Sequence, residues 1–236
     1  MIDIRPFASL GGADHGWLKA RHHFSFAGYH DPERLHWGRL RVWNDDEIAP
    51  GTGFDPHPHR DMEIITYVRD GAITHRDSMG NVGRTAAGDV QIMSAGTGVV
   101  HGEWNMEDEV TRIFQIWILP DRRGAAPNWG ARQFPKAARE AAFEVLASGR
   151  PQDEGTGALP LNVDGAVMAA TLRAGQAVTL PLAAGRAAYL VPARGAVTVN
   201  GQALGARDGA AIREESAVTI AAQEDAELVL VEVADA

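Results

Sequence analysis

Turn residues return along this chain at intervals of roughly 8–12 residues, the spacing of an all-β sandwich or barrel. Between them lie short runs rich in Val, Ile and aromatic side chains, among them "RLRVWN", "EIITYVRDG", "DVQIMSAG", "TRIFQIWILP" and "AELVLVEVA". Only "PKAAREAAFEVLA" (135–147) has helical composition, and its second half, continued as "FEVLASG", reads equally well as a strand. The pattern also repeats. "GAITHRDSMGNVGRTAAGDVQIM" starts at Gly71 and "GAVTVNGQALGARDGAAIRE" starts at Gly195. Each runs Gly-Ala, a β-branched residue and Thr, then two turns, then an apolar strand, so one supersecondary unit is used twice. The expected fold is therefore all-β, two tandem barrels. An N-terminal domain is expected over 1–120, a Pro-, Gly- and charge-rich connection over 121–142, and a C-terminal domain over 143–236.

The two halves differ in chemistry. All nine histidines lie at or before His101, and the second half is mostly Ala, Val and Gly. The 236-residue chain has no cysteine, so any metal must be held by His, Asp or Glu. A net charge of −9 without a Lys/Arg cluster argues against direct nucleic-acid binding, which is driven by cationic side chains releasing counterions. No run of about eighteen apolar residues is present, so no membrane span is expected. "MIDIRPFASL" lacks the apolar core of a signal peptide, which makes the cytoplasm the expected compartment.

Within the first half, "PHPHRDM" (56–62) sets two histidines one residue apart, each preceded by proline. Side chains at i and i+2 of a strand share a face, so His57 and His59 project together. Proline pushes the residue before it toward extended geometry and donates no ladder hydrogen bond. This strand therefore belongs at a sheet edge, at its own start or beside a loop. The same pair on a solvated face would need no ligand. A second pair, His101 and Glu103, repeats the i, i+2 relation. If the two strands are neighbours, three imidazoles and a carboxylate converge. That set suits Fe, Ni, Co, Mn, Cu or Zn rather than Mg or Ca, and a six-coordinate metal there would keep two positions for substrate and dioxygen.

The remaining polar residues read as structural. His22 and His23, in "RHHFSFAGYHDP", are expected to be satisfied by backbone carbonyls while covering an edge, with the mouth of a pocket as the other reading. His75 and Asp77 run from a strand into a turn and are expected to be solvated. Gln115 is the lone amide of "RIFQIWIL" and is expected to bond neighbouring backbone, with a metal ligand or substrate as the other reading. Met62, Met93 and Trp117 are core or pocket wall. "GNVGRTAAG" precedes no helix, so it is no phosphate loop, and no Gly-x-Ser-x-Gly occurs.

"GTGFDPHPHRDME" (51–63) resembles the first cupin motif, in which Gly is followed after five residues by His-x-His and after three more by Glu. "GDVQIMSAGTGVVHGEWN" (88–105) resembles the second, although Ser94-Ala95-Gly96 stands where cupins usually carry proline. The two stretches together, with "RHHFSFAGYHDP" and a His-free second half, resemble the pirin family of bicupins across essentially the whole chain. The resemblance implies one metal, iron(II) first and Cu, Ni, Co, Mn or Zn as alternatives, held by His57, His59, His101 and Glu103. General cupins would use Glu63 as the carboxylate ligand, and strand parity favours neither. The pirin pattern places the ligand at Glu103, and Glu63 is expected either to support a ligand from behind or to line the pocket. The implied activity is quercetin 2,3-dioxygenase: O2-dependent opening of a flavonol with release of carbon monoxide. Glu103 would accept the flavonol 3-hydroxyl proton, with Glu63 in reserve. The family also implies a second possibility, a non-catalytic, redox-responsive iron regulator acting through a protein partner. A sugar isomerase is less well supported, because no phosphate-binding charges accompany the motifs.

Overall fold

The computed structural model describes residues 1–235. Its regular structure is almost wholly strand, and each of its two barrels consists of one seven-stranded and one four-stranded sheet. In the first half the seven strands run, in spatial order, Asn128–Arg132, Val90–Ser94, Glu63–Asp70, Thr111–Ile118, Leu40–Ile48, Leu18–His22 and Gly11–Asp14. Facing them are Gly53–His59, Val99–Trp104, Ala72–Asp77 and Val82–Ala86. The second half repeats this plan, its central strands being Gly209–Arg213, Arg186–Arg194, Ala226–Ala234 and Gly165–Leu172. Its four-stranded sheet runs Ala177–Pro181, Ala217–Ala222, Val197–Val199 and Gln202–Leu204. The all-β, two-barrel expectation is met.

The Gly-Ala echo marks the same turn in both barrels. Gly71 and Gly195 have φ of 75° and 80°, the left-handed region that glycine enters without strain. A Cβ at either would also collide, with Thr111 Oγ1 at 2.6 Å or the Asp225 carbonyl at 2.4 Å.

Each seven-stranded sheet borrows an edge strand from elsewhere in the sequence. Ile2–Arg5, at the start of the stretch expected to form the first domain, pairs with Gly209–Arg213 of the second barrel. Its Ile2 and Ile4 pack against that barrel's interior. Asn128–Arg132, inside the expected connection, pairs with Val90–Ser94 of the first barrel, and its Trp129 packs against that barrel's apolar residues. The candidate helix at 135–147 reduces to a short 3-10 turn, Lys136–Arg139, followed by the strand Glu144–Ser148. Burial of Leu146 and Ala147 between the barrels overrides the helical composition there. Among the described residues no helix is long and apolar enough to cross a membrane.

Strand parity decides which core each residue joins. Along Glu63–Asp70, Ile65 and Tyr67 point out of the first barrel into a large shared core with Tyr189, Val191, Val229 and Val231 of the second. The alternate residues Ile64 and Val68 point into the barrel, where they join two small apolar clusters at its opposite ends. The second barrel is filled by one continuous cluster.

Candidate metal centre

The proline-flanked strand lies at the edge of its sheet, as its missing donors require. Its neighbour is Val99–Trp104, and His57 pairs directly with His101. Beyond that pair the register slips, so that Glu103 opposes Phe54 and the edge strand bulges at Asp55 and Pro56. Bulges re-aim side chains near functional sites. Here the imidazole rings of His57, His59 and His101 stand with centroids 4.6–5.0 Å apart. One nitrogen from each lies within 4.8 Å of the others.

Hydrogen bonding fixes how the rings face. His57 Nδ1 is 2.7 Å from the carbonyl oxygen of Asp55. A carbonyl only accepts, so Nδ1 carries the proton and Nε2 is left bare. Burial, with His101 and His57 nearby, pushes the His59 pKa down to about 4. Burial, with His57 and His75 nearby, pushes that of His101 down to about 3. His59 and His101 can therefore offer neutral nitrogens at neutral pH, as metal binding requires. The donor set fits a borderline transition metal.

Glu103 is 2 % exposed and is gripped by three donors. Gln91 Nε2 and the Thr66 hydroxyl donate to Oε1 at 2.6 and 3.1 Å, and Gln115 Nε2 donates to Oε2 at 2.8 Å. Two carboxylate oxygens offer about four acceptor sites, so capacity remains on Oε2. Glu103 comes within 4.8 Å of His101 and of His75, rather than forming one cluster with all three of the other histidines.

The imidazoles open on a cavity of about 290 Å³, walled by Phe26, Phe54, Ile64 and Trp117 and edged by Asn44 and Asp46. It also takes in His22, whose Nδ1–H donates to Asn44 Oδ1 at 2.8 Å. Asp46 is 2 % exposed and its Oδ1 has no hydrogen-bond partner among the described residues. Burial, with Asp45 and Glu103 close by, pushes its carboxyl well above the ordinary range.

Several readings of single residues change. Glu63 is no pocket residue: it accepts from Ser94 Oγ at 2.6 Å and from the Asn162 backbone N–H at 3.2 Å, at the seam with the second barrel. Its sequence parity with His57 and His59 is broken by Asp61, whose φ of 48° turns the chain between the strands. Gln115 bonds Glu103 and Thr66 rather than backbone. His75 and the side chain of Asp77 are shielded from solvent and bonded to each other. The histidines expected to find backbone carbonyls have side-chain partners, Asn44 for His22 and Tyr189 for His23. Thr66, Gln91 and Asp46 were not singled out in the sequence. The available signal was a lone polar residue in an apolar strand, visible at Thr66 in "EIITYV" and Gln91 in "VQIM".

Known proteins resemble this chain over nearly its whole length. The family Pirin matches residues 4–118, and the family described as quercetinase C-terminal cupin domain matches residues 145–233. A protein of Caulobacter vibrioides named pirin-like protein is 63% identical over 99% of this chain and 100% of its own. The quercetin 2,3-dioxygenase of Escherichia coli K12 is 40% identical over 98% of this chain and 97% of its own. The crystal structure of bacterial pirin YhhW from Escherichia coli in complex with nickel(II) superposes with a TM-score of 0.93 at 38% identity, covering 100% of both chains.

Proposed function

The chain belongs to the pirin family of bicupins, and from that premise we propose that it is a metal-dependent dioxygenase that opens a flavonol such as quercetin with O2. His57, His59, His101 and Glu103 would hold one divalent metal, iron(II) by our assignment, with nickel(II) the first alternative because bacterial pirin YhhW has been crystallised with it. The observation that carries the reading is the mouth of the site: three imidazoles converge on a cavity walled by aromatic and aliphatic side chains.

A bound metal supplies Lewis-acid and redox chemistry and lowers the pKa of a coordinated hydroxyl. The protein supplies the rest. Phe26, Phe54 and Trp117 offer faces and edges to a flat ring and displace water from it. Glu103 accepts the flavonol 3-hydroxyl proton, held in place by Gln91, Gln115 and Thr66. Asp46, rather than Glu63, is the other carboxyl on the cavity. The enzyme would work in the cytoplasm on small molecules, without contact to nucleic acid or membrane.

Anaerobic loading with Fe(II) or Ni(II), followed by oxygen uptake and carbon monoxide detection with quercetin, tests the proposal. Turnover is expected with metal, and is expected to fall to background in His59→Ala and Glu103→Ala. Tight metal binding with no turnover on any flavonol would overturn it in favour of a regulator acting through a protein partner.

A further inference from the structure

His75 takes no part in the reaction proposed above, yet it is 1 % exposed and lies beside the site. Its strand, Ala72–Asp77, flanks Val99–Trp104 on the side opposite His57, with His75 paired to Glu103 and Asp77 paired to His101. His75 Nε2 is 3.0 Å from Asp77 Oδ2, and His75 Nδ1 is 3.3 Å from His101 Nδ1. The indole of Trp129 stacks on the His75 ring, centroids 5.0 Å apart and planes within 12°, which fixes the ring plane. Asp77 is equally constrained. Its Oδ1 accepts backbone N–H groups from Met79 and Asn81 at 2.9 and 3.0 Å, and its Oδ2 accepts Asn81 Nδ2 at 2.9 Å.

These contacts determine where protons sit. A carboxylate only accepts, so His75 Nε2 carries hydrogen. As the Nε2–H tautomer His75 accepts at Nδ1, and the nitrogen facing it, His101 Nδ1, donates. His101 Nε2 is left without a proton. We infer that Asp77 and His75 are positioning residues, a buried hydrogen-bond chain that holds His101 as its Nδ1–H tautomer and presents Nε2 to the metal. For His101 the chain does what the Asp55 carbonyl does for His57. It also explains why His75 and Glu103, though grouped with His101 by distance, are not a second metal site. The facing Nδ1 atoms of His75 and His101 are already occupied with each other. Burial opposes the Asp77 charge, but the hydrogen bonds from His75, Asn81 and Met79 outweigh it and hold its carboxyl below the usual range.

The inference rests on His101 being a ligand, as proposed above, and two measurements separate the two ideas. The first is long-range ¹H–¹⁵N NMR of the histidines in the metal-free protein at neutral pH. The expected signature is His101 protonated at Nδ1. In Asp77→Asn, the amide can keep its oxygen on the two backbone N–H groups, so its NH2 faces His75 Nε2. His75 must then shift its proton to Nδ1, and His101 must shift its own to Nε2. His75→Gln should preserve the wild-type state, because the amide oxygen can accept from His101 while its NH2 donates to Asp77.

The second measurement is Ni(II) affinity by competition with a chelator. Asp77→Asn should bind about 10–100-fold more weakly at unchanged stoichiometry, while His75→Gln should stay within a few-fold of wild type. Unchanged tautomer and affinity in Asp77→Asn would overturn the inference. So would a His75→Gln protein that folds but loses Ni(II) as fully as His101→Ala, because His75 would then be a ligand itself. A His101→Ala protein that keeps full Ni(II) affinity would instead refute the ligand assignment on which both rest.

Discussion

The two barrels share a strand order and a turn, and their interiors are opposites. In the first, a polar row crosses the large sheet as Asn44, Gln115, Thr66 and Gln91. In the second, the row on the corresponding strands, placed by the shared Gly-Ala turn, is Met168, Leu230, Leu190 and Ala210. The small sheets differ likewise. His57 pairs with His101 and His75 with Glu103, where the second barrel pairs Leu180 with Val218 and Val199 with Ile220. The bulge beside His57 has no counterpart between Ala177–Pro181 and Ala217–Ala222. Outward-facing residues of both large sheets form one apolar core, and this shared core is why the interiors can diverge. Holding the halves together does not depend on what fills either barrel. The second interior stabilises by burying apolar area. The first splits its apolar residues into two end clusters and spends its middle on a carboxylate held by Gln91, Thr66 and Gln115 and on the imidazoles of His57, His59 and His101.

That contrast can be broken at its strongest point by exchanging residues between the two polar and apolar rows. Leu230→Gln places an amide among Leu190, Met168 and Leu228 with no partner, and should cost roughly 2–7 kcal/mol. Urea denaturation gives the number, and Ni(II) stoichiometry should be unaffected. The reverse change, Gln115→Leu, removes the one donor to Glu103 Oε2 among the described residues and leaves that buried carboxylate oxygen without a partner. It should cost about 1–3 kcal/mol. If the two substitutions cost the same, the first barrel's polar belt is not the satisfied network described here.

A smaller effect concerns acid. His59 and His101 have folded pKa values of about 4 and about 3, against an ordinary 6.5. The unfolded chain therefore takes up protons from pH 6.5 downward while the folded one does not. The stability these histidines allow is complete above pH 6.5 and declines as pH falls through 6.5 toward 4 and then 3. Asp46, whose folded pKa is raised, works in the opposite direction. It does so equally in His101→Val, which copies the second barrel's Val218. The difference in unfolding free energy between the metal-free wild type and His101→Val should therefore shift in the variant's favour as pH is lowered from 7 to 4. A difference independent of pH would remove the electrostatic part of the contrast.

Much of this molecule was legible from residue order, and the reasons are local. Strand parity put His57 with His59 and His101 with Glu103, proline confined the strand of His57 and His59 to an edge, its own start or a loop, and the Gly-Ala repeat announced a second barrel. Each of those signals acts within a few residues of itself. The misread residues all depended on contacts made across the fold. Asp61 turns the chain and sends Glu63 to the seam; Trp129, from a strand more than fifty residues away in sequence, covers His75; Gln115 meets Glu103 only because two sheets face each other. The sequence by itself determined which candidate donors share a strand face and the β architecture, because periodicity and missing backbone donors are properties of the chain. Only the tertiary structure decided which buried polar groups satisfy one another, because a hydrogen bond's partner is chosen by packing and not by spacing along the backbone.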